Sequence, residues 1–125
     1  MSELLASLSV RPLYGQVVVE SEGATDLPVP ETGAEHVVSS SESVLIATRG
    51  DHEGEVTIEV RRGDDDGLGT PLFDSELSFA TPRLVFGSSL GNQMESVDLG
   101  GSGWLPIRIF VDPPWAPSRV VVLVP

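Results

Sequence analysis

Hydrophobic residues recur at every second position in short bursts, separated by turn-forming residues. The clearest burst closes the chain. Over residues 104–111, Leu105, Ile107, Ile109 and Val111 alternate with Trp104, Pro106, Arg108 and Phe110, the period of two that a half-buried β-strand requires. Residues 120–124, VVVLV, form an unbroken apolar run, as expected of a strand central in a sheet or buried on both faces. Between them, residues 112–117 read DPPWAP, which cannot join a ladder because proline lacks an N–H and has a fixed φ. The pattern predicts strand, proline corner, strand, with Trp115 folded over the corner as a cap.

The same reading extends backwards along the chain. Residues 3–9 have helical spacing for barely two turns, too little to stand without tertiary support, so residues 1–11 are expected to form a loose arm or a short strand. Residues 13–20, LYGQVVVE, predict a first strand with Pro12 at its mouth. Residues 44–48, VLIAT, predict a buried one. Residues 55–61 alternate, with Val56, Ile58 and Val60 facing in and Glu55, Thr57, Glu59 and Arg61 facing out. Residues 49–55 between these two suggest a hairpin-like connection. Residues 72–79 place Phe73, Ser75, Leu77 and Phe79 on one side and Leu72, Asp74, Glu76 and Ser78 on the other. Residues 83–86 and 94–99 are shorter candidates. The segment 22–35, EGATDLPVPETGAE, predicts a long exposed loop, a length unusual in a compact domain and a natural place for a partner to touch. Seven or eight short, mostly antiparallel strands without a long helix make an all-β fold. The expected architecture is one β-sandwich or jelly-roll-like domain spanning residues 1–125.

A chain of 125 residues can bury about two-thirds of its unfolded surface around one core. It has no cysteine, hence no disulfide or thiolate chemistry, which fits a cytoplasmic protein. No apolar run approaches the ~18 residues of a membrane span. The opening MSELLASLSV lacks a basic region and carries Glu3, so no secretory signal is expected.

Charge changes the picture more. The net charge is −12, and all seven basic residues are arginine. Residues 1–80 hold 16 of the 19 acids and four arginines, which gives −12; residues 81–125 hold Glu95, Asp98 and Asp112 against Arg83, Arg108 and Arg119, which gives zero. Such a field repels phosphate backbones and anionic lipid, which disfavours direct nucleic-acid or membrane binding. It attracts a basic protein and speeds encounter with one; it also keeps a small domain soluble.

No motif carries catalytic chemistry. Gly87-Ser88-Ser89-Leu90-Gly91 matches the nucleophile-elbow pattern, but no helix follows and both histidines, His36 and His52, lie upstream, where that fold needs its histidine downstream. A turn explains the match. Asp51, His52, Glu53 and Glu55 lack a second nearby histidine for zinc, and Asp64, Asp65 and Asp66 lack the spacing of a calcium loop. Arg-Gly-Asp occurs at residues 49–51 and 62–64, in both cases where a strand is expected to end and a turn to begin. Asp74 and Glu76 share a strand face but have no third group to complete an acid–base site. No catalytic residue, metal ligand or cofactor is expected, and the chain is not expected to be an enzyme.

In pattern and element order, the opening LSVRPLYGQVVVES, the pair around VLIATRGDHEGEVTIEV and the block SFATPRLVFGSSLGNQMESVDLGGSGWLPIRIFVD resemble the competence protein J (ComJ) family of small bacterial β-sandwich proteins. The resemblance covers residues 8–111 and implies an inhibitory binding protein, since the best-known member of that family pairs with a DNA-entry nuclease and holds it inactive. The Pro-Pro-Trp corner and the acidic loop at residues 63–67 have no counterpart in the pattern.

The expected function is therefore a non-enzymatic acidic protein-binding module, an inhibitor or immunity-like partner of a basic protein such as a nuclease. The candidate contact residues are Glu53, Glu55, Glu59, Asp64, Asp65 and Asp66, whose carboxylates would stand where a nuclease expects phosphates. Two alternatives remain open at this point: a small-ligand pocket near Tyr14, Trp104, Phe110 and Trp115, and a structural subunit pairing through the apolar C-terminal strand.

Overall fold

The computed structural model describes residues 2–88 and 92–125. Ten strands form two five-stranded sheets among them: β1 (Glu3–Val10), β2 (Gln16–Ser21), β3 (Val37–Ser39), β4 (Ser43–Ala47), β5 (Val56–Arg62), β6 (Thr70–Phe79), β7 (Arg83–Ser88), β8 (Gln93–Asp98), β9 (Gly103–Asp112) and β10 (Arg119–Val124). One sheet, called A here, has the order β1-β5-β10-β9-β6; the other, B, has the order β3-β4-β2-β7-β8. Pairing is antiparallel except between β5 and β10, which run parallel with Val120 opposite Ile58 and Val122 opposite Val60. The molecule is an all-β sandwich, with more strands than the seven or eight that the hydrophobic pattern marks out.

The inward residues of each strand build one core. Val56, Ile58 and Val60 of β5, Ile107, Ile109 and Val111 of β9, and Val120, Val122 and Val124 of β10 come from sheet A. Val17 and Val19 of β2, Val44 and Ile46 of β4, and Leu84 and Phe86 of β7 meet them from sheet B. Side chains of this kind contribute about 1.5–3 kcal/mol each on burial.

Of the two readings of residues 1–11, the strand is the one found and not the loose arm: residues of β1 pair with β5 from Glu3 opposite Arg62 to Val10 opposite Val56, because Val10 enters the core while Leu5, Ala6 and Leu8 pack partly against it. Three other local expectations are corrected. The strand predicted from residue 13 begins at Gln16. Leu13–Gly15 is instead a 3-10 turn in which Tyr14 takes a left-handed φ of 59° and the Gly15 N–H donates to the Pro12 carbonyl at 3.2 Å. Residues 49–55 do not join a hairpin, since β4 lies in sheet B and β5 in sheet A. Val44 and Ile46 therefore face Val56, Ile58 and Val60 across the core rather than beside them. Finally, Trp115 does not cap the proline corner. The Ser118 N–H closes it on the Asp112 carbonyl at 3.1 Å, and the indole is left 79% exposed.

Two connections cross the outer faces of the sheets. Residues 63–69 lead from β5 to β6, across β10 and β9 on sheet A. Residues 22–36 lead from β2 to β3, across β4 on sheet B. Each acts as a strap over one face, and the difference between them positions the candidate site.

Candidate protein-binding surface

The strap on sheet A is pinned. Its Leu68 is buried against Phe110, Val121 and Leu123, the outward residues of β9 and β10. This second layer is why residues 120–124 are apolar on both faces. Gly69, at a φ of 115°, lies so close to β9 that a Cβ there would sit 2.7 Å from the Val111 carbonyl oxygen, so only glycine lets the strap turn into β6. Three arginines close around it. The Arg108 guanidinium binds Asp65 at 3.0 Å, approaches Asp74 at 3.7 Å and lies 5.1 Å from the Phe110 ring centre. Arg119 grips Glu59 with Nε to Oε2 at 3.0 Å and Nη2 to Oε1 at 3.2 Å, and its Nη1 reaches the Gly67 carbonyl at 3.4 Å. Arg61 binds the same Glu59 at 2.6 Å.

The six acids singled out by sequence are therefore spread along β5 and its flanks. Glu53 and Glu55 precede β5, Glu59 lies within it, and Asp64, Asp65 and Asp66 follow it. The seven residues of β5 separate the two outer groups by roughly 23 Å at the usual strand rise. Several of these acids already serve the fold. The hydrogen bond from Arg119 holds the Glu59 carboxyl below the usual range, against the opposing effect of burial and with further help from Arg61; the Arg119 guanidinium is pushed up in return. Glu53 accepts from the Gly50 N–H at 2.9 Å and closes the 3-10 turn Asp51–Glu53. Asp64 accepts from the Asp66 N–H at 3.3 Å. Glu55 is exposed, and its carbonyl takes the Arg49 guanidinium.

Both Arg-Gly-Asp arginines are tied to backbone in the same way. Arg49 holds the Glu55 carbonyl at 3.0 Å, and Arg62 holds the Pro125 and Leu99 carbonyls at 2.6 and 2.9 Å. The serine of the G-x-S-x-G match, Ser89, lies outside the described residues. Among the described residues no three His, Cys, Asp or Glu side chains gather as a metal site, and no helix is long and apolar enough to cross a membrane.

The aromatic residues do not converge on a pocket. Phe110 is buried under Leu68, whereas Tyr14, Trp104 and Trp115 are exposed. An open hollow of about 110 Å³ lies beside Tyr14, walled by Pro30, Gly33, Glu35 and Leu45, well below the several hundred Å³ of a typical enclosed ligand site. Pairing through the C-terminal strand is likewise blocked, because β10 is bonded to β5 on one side and β9 on the other.

The strap on sheet B differs in leaving its large apolar residues exposed. Residues 20–42 contain Glu20, Glu22, Asp26, Glu31, Glu35 and Glu42 and no arginine. Among the described residues, Arg83 reaches Glu22 at 3.7 Å. Three of these acids shape the strap. Asp26 accepts from the Ser41 N–H at 3.1 Å and hydroxyl at 2.6 Å, which draws its carboxyl below the usual range. Glu42 accepts from the Thr25 and Asp26 N–H groups at 3.2 and 2.9 Å. Glu35 accepts from the Thr32 N–H and hydroxyl, both at 2.8 Å, and its carboxyl too is lowered. Glu20, on the outer face of β2, is instead raised, first by burial and then by the charge of Glu42. Leu27 and Pro28 lie over Val18 and Leu45, yet Leu27 remains 56% exposed, Val29 78% and the neighbouring Tyr14 86%. Sequence marks this loop by its composition; what it does not show is that the loop is tied down with its apolar residues outward.

No family model matches the chain, and no curated protein matches it. Among solved structures, the chain is similar to the crystal structure of ComJ, inhibitor of the DNA degrading activity of NucA, from Bacillus subtilis, with a TM-score of 0.63 at 10% identity over 99% of this chain and 97% of that one. The two proteins share a fold along essentially their whole lengths, and the structure is ComJ-like.

Proposed function

We propose that this chain is a non-enzymatic binding protein that engages a basic protein, of the DNA-degrading nuclease kind, and holds it inactive. The observation that carries the reading is the combination of a fold shared end to end with a nuclease inhibitor and a net charge of −12. A nuclease must present cations to a phosphate backbone, and carboxylates on a rigid scaffold compete for those cations. The acids Glu53, Glu55, Glu59, Asp64, Asp65 and Asp66 are one candidate contact, all of them exposed except the half-buried Glu59.

The test is direct. The tagged chain is presented at low ionic strength to an extract of its source cells, and the captured protein is identified and assayed on plasmid DNA with and without added chain. The expected result is a basic nuclease whose cleavage slows when the chain is added, with association rates that fall steeply as salt screens the encounter. Capture of no basic protein at low salt, or of one whose activity on DNA is unchanged, overturns the reading.

A further inference from the structure

The two straps invite a direct comparison. On sheet A the strap buries its leucine, its Asp65 already holds Arg108, and Glu59 of the neighbouring β5 holds Arg119. A partner docking there would have to displace arginines that are in place. On sheet B the strap leaves Leu27 and Val29 exposed beside exposed Tyr14, within a segment, residues 20–42, that carries six acids, of which Glu22 pairs with Arg83. Its surface is continuous: Tyr14 and Pro30 wall one hollow, Val29 and Glu31 wall a second, and the two hollows share Glu35 and Val38. Leu27 and Glu20 border a third, which shares Leu45 with the first.

Exposed apolar side chains ringed by one sign of charge are the anatomy of a protein contact, with a packed centre and a polar rim. Hydrogen bonds from Ser41, Thr25 and Thr32 to Asp26, Glu42 and Glu35 hold the strap in shape before any partner arrives, which reduces the ordering that binding must supply. We infer that the 22–36 strap, with Tyr14 and Glu20, is the docking surface for the basic protein partner. Val29, Leu27 and Tyr14 supply the apolar centre, and Glu20 and Glu31 meet lysines or arginines at the rim. The partner's chemistry follows from the page: a cationic surface with an apolar residue at its middle. The inference rests on the function proposed above and deepens it by moving the contact from β5 and its flanks to the opposite sheet.

The experiment places a photoactivatable phenylalanine at Val29 in one variant and at Glu55 in another, irradiates each in source cells, and identifies what is joined. The joined protein is then produced and titrated against the wild type, V29S, E31Q and an E55Q/D66N double variant. Val29 and Glu31 are exposed, so their variants leave folding intact; circular dichroism confirms it. Expected are a crosslink at position 29 to a basic protein, weakening of about tenfold or more for V29S as for a central contact, weaker binding and a shallower salt dependence for E31Q, and affinity within about twofold for E55Q/D66N. A basic protein joined through position 55, with V29S and E31Q binding as the wild type does, overturns the inference and leaves the proposed function standing. No basic protein joined at either position overturns both.

Discussion

Two glutamates show how the environment of one side chain sets its effect on the whole. Glu59 is held by Arg119 and Arg61, and its lowered carboxyl means that ionisation favours the folded state. That contribution is complete above the ordinary value of 4.5 and is lost as pH falls through the lower value of the folded protein. Glu59→Gln is expected to cost about 1–3 kcal/mol at neutral pH, the range for a hydrogen bond between charged groups, and to flatten the acid limb of a denaturation profile. Glu20 has the opposite sign. Burial and Glu42 raise its carboxyl, so ionisation works against the fold, and stability is lost as pH rises through the folded value. Glu20→Gln is expected to raise the denaturation midpoint at pH 7, with the gain vanishing below about pH 4. Guanidinium titrations at several pH values measure both. Neither sign is legible in sequence, where the two are each one glutamate among the outward positions of a strand. The pairing that separates them comes from Arg119, sixty residues from Glu59.

Among the elements, the strands were legible and their partners less so. The period of two located β5, β6 and β9, and the apolar run of residues 120–124 correctly marked a strand central in its sheet. β3 is not legible because its three residues hold two valines ahead of a serine run, and β1 is ambiguous between arm and strand because its leucines sit at spacings that fit a helix as well. The link over residues 49–55 looked like a hairpin because sequence carries no sign of which sheet a buried strand joins. The straps divide in the same way. Nothing in the run of aspartates announces that Leu68 behind them is buried on sheet A. Leu68→Ala is expected to lower stability by about 2–5 kcal/mol, as for other buried leucines. Leu27→Ala on the opposite strap, where the side chain is more than half exposed, is expected to change it by no more than about 0.5 kcal/mol. Urea midpoints followed by circular dichroism distinguish the two; equal losses would show that the straps are packed alike.

For the whole molecule, charge counted along the chain and charge arranged in space differ. The sequence divides into an acidic first part and a neutral last part, yet β9 and β10 return between β5 and β6. They bring Arg108 and Arg119 into contact with Asp65 and Glu59, so two of the six acids that the sequence marks out meet cations carried back to them. The segment 20–42 receives Arg83 at Glu22. The bulk negative field is readable from composition, whereas which acids meet an arginine depends on strand order.

Both tryptophans stand largely in water in the native protein, Trp104 at 60% and Trp115 at 79% exposure. Their emission is expected to lie close to that of free indole and to shift little when the chain unfolds, so a scan of intrinsic fluorescence through a melt should be nearly flat while the far-ultraviolet signal collapses. A large blue-to-red shift on melting would contradict the exposure of these rings. The same optical silence makes the folded protein a quiet background: a blue shift that appears only when another macromolecule is added reports an indole newly shielded from solvent, without any dye or label.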